Sequence, residues 1–307
     1  MTTLLAVGLG YCGRIWISAE PARFARVIGT SRSAEGVANL ARSAPGTQAI
    51  AFDGSVLPQA LTDAIAQADI LLLSAPPGVA GDPLLAVARA ALRESPSLRH
   101  ILYLTTLGVY GDHGGAWVDE DSVPNPGSDR LRRRLAAEAD WQALGREKGI
   151  PVASLRLAGI YGPGRNALLQ LRAGEARRID KPGQVFNRIH VDDIATALSA
   201  VVDQGFDGVL NVTDDLPSAP GEPVAYAAGL LGLEPPPLLP FAEAARSMSP
   251  MALTFWAGNK RVRNDRLKGL GVRLRYPTYR EGLSALFAEG EGAAAVRPAE
   301  AARPATP

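Results

Sequence analysis

The sequence predicts an α/β protein with a doubly wound parallel sheet and a smaller C-terminal lobe. Three observations lead there: short apolar runs alternating with helical patterns, a glycine cluster at the first strand-to-helix turn, and loss of that alternation after about residue 160. Alternation of this kind is what βαβ units produce, and strands covered by helices on both faces are apolar on both faces. The chain of 307 residues therefore divides into a nucleotide-binding region at 1–160 and a smaller substrate lobe at 161–288, interleaved with the first. The remainder, 289–307, has no apolar periodicity to dock it and is expected to be disordered.

Strands are expected at 4–7, 27–29, 48–52, 70–73, 101–104 and 152–155, with a further one at 208–212. Helical patterns lie between them at 13–18, 33–41, 58–68, 83–94 and 129–148, with another at 191–202; Pro21 cuts the first short. The proline-rich stretch 231–240 is read as a loop.

Composition narrows the partners. Hydrophobic residues make up 47% and charged residues 21%, ordinary values for a folded globular chain and incompatible with disorder over most of its length. Lys and Arg number 32 against 31 Asp and Glu, so no basic field points to nucleic acid, and a small-molecule partner is expected. Apolar runs such as ADILLLSAPP stop short of the roughly 20 residues a membrane span needs. With one cysteine, Cys12, no internal disulfide is possible, and the start MTTLLAVGLG lacks a secretory pattern, so the expected location is the cytoplasm.

The first strand runs into Gly8-Leu9-Gly10-Tyr11-Cys12-Gly13, a G-x-G-x-x-G at the opening of a helix. Glycine suits that turn because the chain reverses tightly, the backbone must approach a pyrophosphate, and the helix must pack close to its strand with its N-terminus toward the anion. This is a Rossmann-type dinucleotide site. The second strand ends Thr30-Ser31-Arg32, without the carboxylate that an NAD site offers to the ribose hydroxyls. Thr30 and Ser31 can donate hydrogen bonds and Arg32 can fork onto a 2′-phosphate, assisted by Arg14, so NADP is favoured over NAD. At later strand ends, Asp53 is a candidate acceptor for the adenine amino group or a loop carboxylate, and Ser74-Ala75-Pro76 would let the cofactor lie against backbone.

The run Tyr103-Leu104-Thr105-Thr106-Leu107-Gly108-Val109-Tyr110-Gly111 resembles the strand-end motif of extended short-chain dehydrogenases/reductases, the NAD-dependent epimerase/dehydratase group. Arg156-Leu157-Ala158-Gly159-Ile160-Tyr161-Gly162 and Arg188-Ile189-His190-Val191-Asp192-Asp193 match it in the same order. The resemblance implies that Thr105 flanks the cofactor, that Thr106 polarises the reacting oxygen, and that a homodimer forms through the long helices, 129–148 included.

One departure is pronounced. That family carries a Tyr-x-x-x-Lys pair, whose positions fall here on Arg130 and Arg134, and the 129–148 stretch contains no tyrosine. Arginine stays protonated at any working pH, so neither is the usual acid; Arg134 can hold ribose hydroxyls and Arg130 can bind an anionic substrate. Tyr110, His113 and Tyr161 are the substitutes considered for the proton source and the substrate pocket. His190, Asp192 and Asp193 sit where a helix begins, so they are read as caps and no metal is expected; the resemblance implies that this segment packs the substrate lobe onto the nucleotide lobe. Lys260 and Arg261 either meet an acidic substrate or form a solvated charge run. Two functions follow: a nucleotide-dependent oxidoreductase, epimerase or dehydratase acting on a carbonyl, hydroxyl or nucleotide-sugar-like substrate, or a non-catalytic NADP(H) sensor or scaffold.

Overall fold

A computed structural model describes residues 2–291. The strands β1 (Thr2–Val7), β2 (Phe24–Ser31), β3 (Gln48–Ala51), β4 (Ile70–Leu73) and β5 (His100–Thr106) join strands Val152–Leu157 and Gly208–Val212. They form one seven-stranded sheet, ordered from Gly208–Val212 through Val152–Leu157 to β5, β4, β1, β2 and β3. Every pairing is parallel, which places all the carboxyl ends on one rim.

Strand side chains alternate faces, and β1 shows the consequence. Leu4 and Ala6 enter the core on one face with Trp16 and Leu198, while Leu5 and Val7 enter the other with Ile65, Leu85 and Trp141. Helix α1 (Tyr11–Ala19) packs beside helix Val191–Asp203, where Trp16 Nε1 donates to Ser199 Oγ at 2.8 Å. Helices α2 (Ala34–Ser43), α3 (Gln59–Gln67), α4 (Pro83–Glu94) and α5 (Asp129–Lys148) complete the two outer layers. The α4 start is typical of the local logic: Asp82 accepts from the Leu84 and Leu85 amides, and Pro83 occupies a first-turn position that needs no amide proton.

The alternation does break after residue 160, into short helices and two-stranded patches. Gly159–Tyr161 pairs with Arg188–His190, and Trp117–Val118 pairs with Arg261–Val262. The proline-rich stretch, read as a loop, ends in strand Leu238–Pro240 beside Arg178–Asp180, an edge position where a missing amide donor is tolerated. Asp193 does not cap its own helix. Its carboxylate accepts from the Arg275 and Tyr276 amides at 2.6 and 3.1 Å, fastening the C-terminal segment to the nucleotide layer. The chain stays docked past 289, because Glu291 Oε1 accepts from the Gly164 amide at 2.6 Å. The rest of the expected tail, 292–307, lies outside the described residues. No helix among the described residues is long and apolar enough to cross a membrane.

Candidate active site

The sheet order changes direction between β1 and β4, so the crevice beyond their carboxyl ends is the natural ligand position. Gly8 opens it with φ +81°, a conformation that side chains resist, and a Cβ there would stand 3.1 Å from the Ala75 amide nitrogen. Gly13 is required for packing, since its Cβ would meet Leu9 Cδ1 at 2.8 Å and Leu72 Cδ2 at 3.2 Å. Gly10 sits at the helix start with no side chain capping α1, which leaves the first-turn amides available to an anion. These features fit a pyrophosphate.

The residues around the turn divide into braces and faces. Thr30 is buried, and its Oγ1 accepts from the Gly8 amide at 2.9 Å while its carbonyl accepts from Leu9 N. Ser74 Oγ donates to the Gly8 carbonyl. Thr30 and Ser74 therefore shape the loop, and Thr30, expected to donate to a ribose, has no exposed hydroxyl left for one. Tyr11 Oη donates to Pro163 O at 2.8 Å, and Cys12 is buried with its thiol pushed up to about 11 by desolvation. Both contribute backbone to the loop. Asp53 Oδ1 accepts from the Ser55 amide and hydroxyl, which holds the carboxyl low and favours its loop reading over the adenine contact. Ser31 is half-buried, Ala75 and Pro76 line the end of β4, and Arg32 is exposed at the end of β2 without an ion pair among the described residues.

A cavity of about 630 Å³ lies at the end of β5, two strands from β1 along the same rim. Thr106 is part of its lining. Its Oγ1 accepts from the Gly108 amide at 3.1 Å, and its proton has no acceptor among the described residues. Leu107 and Gly111 follow it, Ser128 and Arg130 come from the start of α5, and Leu157 to Ile160 from the neighbouring strand end. The C-terminal lobe closes the cavity with Phe186, Arg188, Phe255, Trp256 and Lys260.

Thr106 and Arg130 are thus brought together, while the other proposed proton carriers are not. Tyr110 is fully buried with its hydroxyl donating to Asn211 Oδ1 at 2.8 Å, and the Arg156 guanidinium lies 4.8 Å over its ring. It packs the core and does not face the cavity. His113 Nε2 contacts the Tyr110 carbonyl at 3.0 Å in a loop gripped by Asn259. Tyr161 Oη donates to Thr278 O, its ring stands edge-on to His190, and burial raises its pKa. Neither lines the cavity. Arg134, expected at the lysine position, donates from Nη1 to the Leu104 carbonyl at 3.3 Å. Thr105 Oγ1 donates to Glu138, away from the crevice, within a buried network where Arg156 meets Glu138 at 2.8 Å.

Lys260, weighed as a solvated charge, is instead buried to 9% exposure and faces the cavity. Nζ donates to the Gly111 carbonyl at 2.9 Å, and desolvation, only partly opposed by Asp112, pulls its pKa down to about 8. Asn187 positions it, donating to the Lys260 carbonyl at 3.0 Å and accepting from the Val262 amide at 2.9 Å. Its proximity was not readable from spacing, because about 150 residues separate it from Gly111.

Comparison with known proteins agrees with this architecture. The model of the NAD dependent epimerase/dehydratase family matches residues 81–212. Protein YeeZ of Escherichia coli strain K12 is 30% identical over 248 residues, which cover 77% of this chain and 86% of that protein. A Streptomyces protein named 3-diazoavenalumate denitrifying reductase is 29% identical over 178 residues; the match spans 58% of its length and 54% of this chain. A solved structure of a functionally unknown conserved protein from Silicibacter pomeroyi is 43% identical with a TM-score of 0.84, covering 95% of this chain and all of that one. Together with the seven-stranded parallel sheet, these similarities show that the chain belongs to the NAD dependent epimerase/dehydratase family.

Proposed function

We propose that the protein is an NADP(H)-dependent oxidoreductase acting on a small carbonyl or hydroxyl compound. The observation that supports this reading is the uncapped Gly8–Gly13 turn on the same sheet rim as a cavity that opens at Thr106. Gly10, Tyr11 and the rest of the first turn would hold the pyrophosphate through backbone amides, and Arg32, exposed beside Ser31, suits a 2′-phosphate. Arg134, whose Nη1 donates to the Leu104 carbonyl in β5, would contribute its remaining N–H groups to the ribose hydroxyls. A bound nicotinamide supplies or accepts hydride. The reductase name of the Streptomyces relative supports the same direction.

The chain's own contribution is orientation, exclusion of water and a proton. Thr106 can donate its free hydroxyl proton in a hydrogen bond to the reacting oxygen, but an unactivated hydroxyl is a poor net acid. Among the ionisable residues lining the cavity, Arg130 and Arg188 keep their protons, and Asp112 is exposed with a carboxyl held low by the Asn259 and Gly114 amides. Lys260 is the remaining one, and its lowered affinity for the proton lets Nζ donate and recover it near neutrality.

The absence of tyrosines and histidines from the cavity lining favours a second reading, a dinucleotide sensor without turnover. Titration with NADPH and NADH, followed by a carbonyl panel, separates the two. The oxidoreductase reading expects NADPH preference that falls about tenfold in Arg32→Gln, together with NADPH oxidation by some member of the panel. Nucleotide binding with no turnover across the panel would favour the sensor; no binding of either nucleotide would end both.

A further inference from the structure

The cavity that the proposed oxidoreductase would use for its substrate has an unusual lining. Three cations reach it: Arg130 from α5, Arg188 from the strand beside Ile160, and Lys260 from the C-terminal lobe. None forms an ion pair among the described residues, although other cations in the same molecule find carboxylates readily, Arg156 with Glu138 and Lys268 with Asp215 among them. Burial costs these groups: it lowers the pKa of each, and Arg130 is lowered further by its neighbour Arg134. Asp214 and Glu222 act on Arg188 and Asp112 on Lys260 only from beyond ion-pair distance, and Arg130 and Arg188 are half-buried, so three cations without a close carboxylate at one cavity leave room for an anion from outside.

The apolar wall combines aliphatic residues such as Leu107, Leu157 and Ile160 with three aromatic rings. The Phe186 and Trp256 rings meet edge to face at 5.0 Å, and the Arg130 guanidinium lies 5.6 Å from the Phe255 ring centre. Phe255 is itself 56% exposed at the mouth, a large apolar surface with nothing to cover it. Most polar side chains of the lining are engaged within the protein, Asn125 aside: Ser128 Oγ accepts from the Leu131 amide and Thr254 Oγ1 donates to the Met251 carbonyl. Asn187 spends both amide atoms on residues 260 and 262, and Asp112 Oδ1 is engaged by two backbone amides. A sugar, whose hydroxyls must donate as well as accept, would find few partners here.

We infer that the cavity binds a flat aromatic or conjugated carboxylate, its ring against Phe255 and Trp256 and its carboxylate among Arg130, Arg188 and Lys260. A cavity of about 630 Å³ accommodates one such molecule. This rests on reading the cavity as the substrate site, but the binding itself needs no nucleotide.

The test is calorimetric titration of the intact protein with trans-cinnamate, its neutral isostere cinnamamide, and UDP-glucose, with NADPH titrated separately on each variant. Cinnamate is expected to bind one to one and cinnamamide at least about tenfold more weakly. Arg130→Leu and Lys260→Met should each weaken cinnamate about tenfold and leave NADPH affinity within about twofold, and Arg130→Lys should restore part of the loss. NADPH binding in the variants also reports that they are folded. Equal affinity for cinnamate and cinnamamide, binding of UDP-glucose alone, or no binding of any of the three while NADPH binds would overturn the inference and leave the oxidoreductase reading intact. Cinnamate binding by a protein that ignores NADPH would do the reverse.

Discussion

The crevice at the glycine turn and the cavity at Thr106 lie on one rim of the sheet, yet they are built from different material. The crevice is backbone: Gly8, Gly10 and Gly13 supply room and amides, and the nearby side chains of Thr30 and Ser74 turn inward to brace the loop. The cavity is side chain: long cations and aromatic rings gathered from α5, the strand end near Ile160 and the segment 252–260. A second contrast lies inside the polar core. Arg156 is buried with Glu138, Thr105 and the Tyr110 ring around it, whereas Arg130, Arg188 and Lys260 face the cavity without a carboxylate partner among the described residues. Buried charge that is paired holds a structure together; buried charge left unpaired at a cavity is available for chemistry.

The largest effect expected from breaking this contrast is on the paired side. Glu138→Ala leaves Arg156 uncompensated in the core and should cost about 3–5 kcal/mol of unfolding free energy, read from the urea midpoint. A shift under about 1 kcal/mol would mean the pair is better hydrated than its burial indicates.

On the unpaired side, Lys260→Met removes the one cavity group that exchanges a proton near neutrality. Turnover of any substrate found should fall about a hundredfold at pH 7, and the wild-type decline above about pH 8 should vanish from the residual activity. The sign for stability is opposite. Lys260 is lowered from 10.5 to about 8 in the folded chain, so between those values the unfolded chain binds more protons and wild-type stability rises with pH. The Met variant should lack that rise in thermal unfolding measured from pH 8 to 10, and a rise of equal size in both proteins would assign it to another group.

Next comes the crevice. Gly8→Ala forces a side chain into φ +81°, at about 1–2 kcal/mol of strain, and sets its Cβ 3.1 Å from the Ala75 nitrogen. NADPH affinity should drop at least about tenfold, with cinnamate binding unchanged. Loss of both ligands together would show that the two regions are one cooperative unit. The smallest effect belongs to Tyr110→Phe. It removes the hydrogen bond to Asn211 and should cost about 1 kcal/mol of stability without changing kcat, as befits a residue sealed in the core. A large fall in kcat would return Tyr110 to the list of acids.

Much of this protein follows from local sequence. The strands at 4–7 and 70–73, apolar at every position, could be buried only between helices, and both lie at the centre of the sheet. The glycine turn and Thr106 were legible for the same reason: their chemistry is carried by consecutive residues at a strand end. The Tyr-x-x-x-Lys departure was equally plain, because it depends on identity and not on position in space. What the chain order concealed was orientation. Tyr110 and Tyr161 lie in motifs at the rim, but the turn after β5 and the packing against His190 rotate both hydroxyls into the interior. Lys260, read within a run of charges, faces inward because Asn187 and Asn259 pin its segment across the cavity. Local periodicity determines which residues form strands and helices, since it arises from neighbours a few positions apart. Which side chains share a cavity depends on contacts between segments more than a hundred residues distant, and only the closed tertiary structure brings those segments together.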